Sequence, residues 1–101
     1  MKIKKLENLN PELVSWNDRI YGEYPTPYNG IAGVIEKARL QTILELAKCK
    51  STDAILEVGC EGGNLLSSLP NVRRIVGADI SGRALEDAQS RLKSQDLKAE
   101  F

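Results

Sequence analysis

A short apolar run that passes straight into a cluster of glycines constrains this chain more than any other feature. Ala54-Ile55-Leu56-Glu57-Val58 is nearly continuous in apolar character, and Gly59-Cys60-Glu61-Gly62-Gly63 follows at once. Such a run is the pattern of a strand buried on both faces of a parallel sheet. Glycines directly after a strand let the backbone turn sharply and let a ligand approach main-chain atoms. A second apolar run, Arg74-Ile75-Val76-Gly77-Ala78, ends in Asp79, which lies 20 residues beyond Gly59. Between the two runs, Asn64 to Leu69 reads as a short helix ended by Pro70. Strand, helix and strand in this order predict a right-handed βαβ unit whose strand ends are near neighbours.

The remaining segments fit around that unit. Asn10 is the expected N-cap of a first helix, with Pro11 at its first position and Glu12 complementing the dipole. Leu13, Trp16 and Ile20 supply its apolar spacing, and Gly22 is the expected stop. Tyr24-Pro25-Thr26-Pro27-Tyr28-Asn29-Gly30 is turn-rich and cannot be helix. Ile31 to Lys48 reads as an amphipathic helix with Ile31, Val34, Ile35 and Ala38 on its apolar face, continued by Leu40, Ile43, Leu44 and Ala47. Ser81 caps a third helix that sets Leu85, Ala88 and Leu92 on one face and Arg91 and Lys93 near its end. Residues 96–101 look like a loop entering a further strand. The expected division is 1–30 as an N-terminal helix and covering segment, and 31–101 as the sheet-bearing part.

Composition narrows the chemistry. The chain has no histidine, which removes His-based acid–base catalysis, Ser-His-Asp triads and His-ligated zinc. Fourteen basic residues balance 14 acidic ones, which argues against broad binding to nucleic acid or anionic membranes. Cys49 and Cys60 form neither a disulfide framework nor a metal-ligand spacing, so a reduced, cytoplasmic setting and no metal site are expected. No apolar stretch approaches membrane-spanning length.

The glycine loop and Asp79 together specify a nucleoside-like ligand, because a carboxylate at the end of the second strand can accept both hydroxyls of a ribose lying across the strand ends. A dinucleotide fingerprint, G-x-G-x-x-G, is not met, since Glu61 stands where the second glycine belongs. Glu57 and Glu61 also bring negative charge to the place a pyrophosphate would take, at roughly 1–4 kcal/mol per close like-charged pair. A ligand with positive groups and no phosphate suits the loop better. S-adenosylmethionine has a sulfonium, an α-ammonium, a ribose and an adenine, and no phosphate.

Glu57-Val58-Gly59-Cys60-Glu61-Gly62-Gly63 and Gly77-Ala78-Asp79-Ile80-Ser81 resemble the first two motifs of class I S-adenosylmethionine-dependent methyltransferases. The resemblance covers roughly residues 54–93, and the helix at 31–48 fits the one that precedes the first strand of that fold. It implies a Rossmann-like parallel sheet with flanking helices. Glu57 would orient the methionine ammonium, and Gly59 and Cys60 would offer main-chain groups. Gly63 would allow close helix–loop packing, Asp79 would hold the ribose hydroxyls, and Ile80 would pack against the adenine. Glu61 departs from the usual glycine, so its side chain must point away, sit near the sulfonium, or shift the register onto Gly62.

The family's full sheet has seven strands, of which this chain supplies the first two and the start of the third. It is therefore expected to be an N-terminal part, incomplete and inactive alone, with the first strand unpaired along one edge and its apolar faces only partly covered. Further chain, a second chain or self-association would complete the sheet. No catalytic residue is assigned, and any general base would be a carboxylate, a tyrosine or a group outside this chain. The methyl acceptor is unidentified, a small molecule or protein being favoured over RNA. Two other functions stay open: a non-catalytic methyltransferase-like partner or regulatory module, and a dinucleotide-binding oxidoreductase fragment. Trp16, Tyr21, Tyr24 and Tyr28 are read either as a lid or as simple packing of the N-terminal segment.

Overall fold

Two parallel strands, β1 (Ala54–Val58) and β2 (Arg74–Ala78), pair in register from Ala54 opposite Arg74 to Val58 opposite Ala78. The computed structural model describes residues 3–4, 7–24 and 30–101. On the far side of β2 an isolated parallel bridge joins Val76 to Glu100, within the segment where a further strand is expected. The Gly77 N–H donates to the Glu100 carbonyl at 2.9 Å, and the Glu100 N–H to the Ile75 carbonyl at 3.0 Å. Among the described residues no strand lies along the outer edge of β1. The described residues form a mixed α/β structure, with three α-helices around a two-stranded parallel sheet.

The helices are α1 (Pro11–Glu23), α2 (Gly30–Ala47) and α3 (Gly82–Ser94). Asn10 caps α1 as its sequence predicts, its side chain accepting from the Glu12 and Leu13 N–H groups at 2.9 and 3.3 Å. Gly22 does not end α1, which runs one residue further to Glu23. Its lack of a side chain serves the close approach of the Arg83 guanidinium instead. Ser81 caps α3, its hydroxyl accepting from the Ala84 N–H at 3.2 Å.

The core lies between α3 and one face of the sheet. Leu66, Ile75, Leu85, Ala88, Leu92, Ala99 and Phe101 are buried there with Cys60. Burying an aliphatic side chain of this size contributes about 1.5–3 kcal/mol relative to exposure. Along β1 the exposure alternates: Ala54, Leu56 and Val58 face outward, while Ile55 and Glu57 are half-buried. The expectation of burial on both faces is therefore corrected, because the described elements cover only the face shared with Ile75 and Gly77. The partial cover also foreseen for this strand is what the structure has.

Two further expectations change. Residues 64–69 form only a single 3₁₀ turn, Leu66–Ser68, because the Ser67 and Ser68 hydroxyls both donate to the Asn64 carbonyl and compete with helical pairing. In α2, Ile31, Val34, Ile35, Ala38 and Ala47 are exposed, and the inward side carries Gly33, Glu36, Leu40, Ile43 and Leu44. A helix apolar on most sides gives a weak rotational signal, and tertiary packing chose the side with the small Gly33.

Gly63 joins loop to core. Its φ is +79°, and a Cβ there would lie 3.1 Å from both Ala88 Cβ and Leu92 Cδ1. Left-handed strain and overpacking then add, so Gly63→Ala is expected to destabilise the fold by about 2–4 kcal/mol. Urea denaturation followed by circular dichroism checks this, an unchanged midpoint being the contrary result.

Candidate functional site

The loop that follows β1 is stitched to the end of β2. The Gly59 and Cys60 N–H groups both donate to the Ala78 carbonyl, at 2.7 and 3.0 Å, and the Gly63 N–H donates to the Cys60 carbonyl at 3.0 Å. The Glu61 N–H donates to Asp79 Oδ2 at 2.9 Å, while Asp79 Oδ1 accepts from the Ser81 N–H at 2.8 Å. Gly59 takes φ +76°, a conformation that favours glycine. Glu61 takes φ +47°, so the residue that departs from the glycine pattern sits in left-handed backbone.

Beside this loop opens a cleft of about 470 Å³, lined by Glu36 and Arg39 of α2, by Glu57 and Val58, by Gly59, Cys60 and Glu61, and by Asn64 and Leu65. Four of the expected site residues thus meet: Glu57, Gly59, Cys60 and Glu61. Asp79 does not line the cleft but adjoins it through the Glu61 N–H, and Ile80 is half-buried one residue on. Gly63 is buried against α3 and acts on the loop's shape, in keeping with close helix–loop packing.

Glu57 sits in an unfavourable environment for a carboxylate. Its Oε2 is buried with no hydrogen-bond partner, on the covered face of the sheet. Burial above all, with Glu61 and Asp79 adding to it, pushes its carboxyl up to about 7, and Arg39 opposes the rise. Glu61 is raised as well, by burial first and then by Asp79 and Glu36. Cys60 is buried, and burial foremost pushes its thiol up to about 12, so it packs the core and is no nucleophile at neutral pH. Its N–H is already donated to Ala78, which leaves main-chain carbonyls rather than N–H groups for a ligand at Gly59 and Cys60.

The N-terminal helix reaches the site by one aromatic only. Tyr21 Oη donates to Asp87 Oδ2 at 2.8 Å and lies 2.5 Å from where a Cβ on Gly62 would be, so Gly62 is bare because Tyr21 packs there. Trp16 and Tyr24 are exposed, 51% and 74%, and do not join it, while Tyr28 falls outside the described residues. A second hollow, lined by Pro11, Glu12, Ser15, Trp16 and Arg19, follows one side of α1. No group of histidine, cysteine or carboxylate side chains suited to a metal ion occurs among the described residues. No described helix is long and apolar enough to cross a membrane.

Sequence reasoning missed Glu36 and Arg39. They lie three residues apart on α2, a spacing that pairs side chains on a helix surface, but nothing in the local sequence ties them to the glycine loop. No protein-family model matches the chain, and neither curated protein sequences nor solved structures give a match.

The Glu57 carboxyl makes the free protein sensitive to pH. The folded state holds this proton more tightly than an ordinary carboxyl with a value of 4.5 would, so its contribution to stability is complete at acid pH. That contribution falls as pH rises through about 7 and then stays level. Glu57→Gln is expected to flatten this decline and to gain about 1–2 kcal/mol over the parent at pH ~8, allowing for solvent screening of a half-buried group. Parallel urea titrations at acid and alkaline pH measure it, and equal pH slopes in the two proteins would contradict it.

Proposed function

We propose that this chain is the cofactor-binding portion of a class I S-adenosylmethionine-dependent methyltransferase with a Rossmann-like sheet. The observation that carries the reading is the unpartnered Oε2 of Glu57 in a cleft beside a glycine loop. A buried carboxylate oxygen without a donor is costly, and a ligand ammonium would relieve that cost.

The loop's hydrogen bonding supports a ligand without phosphate. The N–H groups of Gly59, Cys60, Glu61 and Gly63 are all donated within the loop, to β2 or to the Asp79 side chain just after it. A pyrophosphate needs outward-facing N–H groups at the start of a helix, and here the loop leads into a single 3₁₀ turn. This weighs against a dinucleotide oxidoreductase. Glu57 would accept the α-ammonium, and Asp79 would take the ribose hydroxyls while still accepting from the Glu61 and Ser81 N–H groups. Ile80 would offer its half-buried side chain to the adenine. Bound S-adenosylmethionine supplies a methyl group on a positively charged sulfur, already activated for displacement by a nucleophilic acceptor, so the protein's part is positioning. The acceptor class we favour is a small molecule or a protein.

Glu61 favours a second reading, a module that keeps the fold without the activity. A glycine there would carry the left-handed backbone without strain and would remove the extra carboxylate. Calorimetric titration of S-adenosylmethionine and S-adenosylhomocysteine into the folded chain tests both readings. The methyltransferase reading expects saturable binding, weakened about tenfold or more in Asp79→Asn and in Glu57→Gln. Affinity should also rise from about pH 5.5 to about pH 7.5, because an ammonium partner favours the ionised Glu57. Binding seen only after Glu61→Gly would favour the degenerate module, and tight binding of nicotinamide dinucleotides alone would overturn both.

A further inference from the structure

Glu61 lines the same cleft as Glu57 and is tethered to the end of β2, its N–H donating to Asp79 Oδ2 at 2.9 Å. The residue is exposed, so a ligand in the cleft can reach it. Its charge acts in both directions. Beyond the larger effect of burial, Glu61 helps to raise the Glu57 carboxyl, and Asp79 helps to raise that of Glu61. Such interactions weaken with distance, so Glu61 stands within electrostatic reach of both carboxylates. At φ +47° a glycine would carry the backbone more easily, so what the side chain adds at this position is charge.

In S-adenosylmethionine the sulfur is bonded on one side to the ribose C5′ and on the other to the chain that ends in the ammonium. A ligand with its ribose at Asp79 and its ammonium at Glu57 therefore carries its sulfur along the stretch between them. Glu61 flanks that stretch, bonded to the one carboxylate and sharing the cleft with the other. A sulfonium there is attracted to the Glu61 carboxylate, whereas the uncharged thioether of S-adenosylhomocysteine is not. The two molecules differ by one methyl group and one positive charge, because methyl transfer to an acceptor leaves the bonding pair on sulfur.

We propose that Glu61 is a charge filter on the ligand's sulfur, which makes the cleft hold S-adenosylmethionine in preference to S-adenosylhomocysteine. The site thereby gives up its spent cofactor more readily than its charged one. The inference rests on the S-adenosylmethionine reading and adds to it a determinant of cofactor over product. It also gives the Glu61 carboxylate a use, where the inactive-module reading treats it as an obstacle.

The test reads the ratio of the two affinities. Both compounds are titrated calorimetrically into the full chain and into Glu61→Gln, which keeps the side chain's length and removes its charge, after a cooperative melt shows each protein to be folded. Glu61→Gln should lower the preference for S-adenosylmethionine about three- to tenfold, the scale of one partly exposed charge pair. The change should come from weaker S-adenosylmethionine binding, with S-adenosylhomocysteine weakening by less than about twofold or tightening. A second arm needs no variant. In the parent, raising salt from about 0.05 M to about 0.5 M should shrink the same preference about twofold or more, because salt screens an exposed carboxylate. A preference left unchanged or raised by Glu61→Gln, or by salt should the variant not fold, overturns the filter while the nucleoside site stands. Tighter S-adenosylmethionine binding in Glu61→Gln, or binding that appears only there, overturns it in favour of the inactive module. If neither compound binds either folded protein, the S-adenosylmethionine reading falls and this inference with it.

Discussion

The junction between the glycine loop and the end of β2 governs the rest of this structure. The Ala78 carbonyl receives two N–H groups and the Asp79 carboxylate a third, so the loop is fixed by the strand beside it. Buried backbone N–H groups must find partners, and here they find them internally. Two consequences follow from that one fact. The Gly59, Cys60, Glu61 and Gly63 N–H groups are already donated within the chain, and the Glu57 Oε2 at the root of the loop is left without a donor of its own.

The same junction is braced from outside by α1. Asp18 Oδ1 accepts from the Ser81 hydroxyl at 2.6 Å and from the Arg83 N–H at 3.2 Å, tying α1 to the start of α3. Ser81 is in turn held by Asp79, so the N-terminal helix and the loop share a carboxylate-centred network. Tyr21 completes the brace: burial and its bond to Asp87 push its hydroxyl up to about 12, which keeps it a donor. A network of this kind fixes the placement of α1, α3 and the loop relative to one another.

Charge, rather than shape, distinguishes the cleft. Glu36, Glu57 and Glu61 face one arginine in a volume of about 470 Å³. Carboxylates gathered in this way raise the Coulomb cost of placing a further anion among them. The sequence already carried half of this argument in Glu57 and Glu61. Glu36 and Arg39 escaped it because they sit 18 or more residues upstream on a helix whose inward side the hydropathy pattern does not mark.

By itself the sequence determined the local elements. The bounds of β1 and β2, the Asn10 and Ser81 caps, the loop between Gly59 and Gly63, and the buried stripe Leu85, Ala88 and Leu92 are all legible in it. Each depends on nearest-neighbour chemistry: capping hydrogen bonds, glycine conformations and alternation of apolar residues. Tertiary structure decided which side of α2 turns inward and why Gly22 and Gly62 lack side chains. It also decided that Asn64 to Leu69 makes only one 3₁₀ turn, and that Leu56 and Val58 stay exposed. Those outcomes depend on which surfaces meet, and an arginine on α1's neighbour or an uncovered sheet face leaves no mark on the residues beside it in the chain.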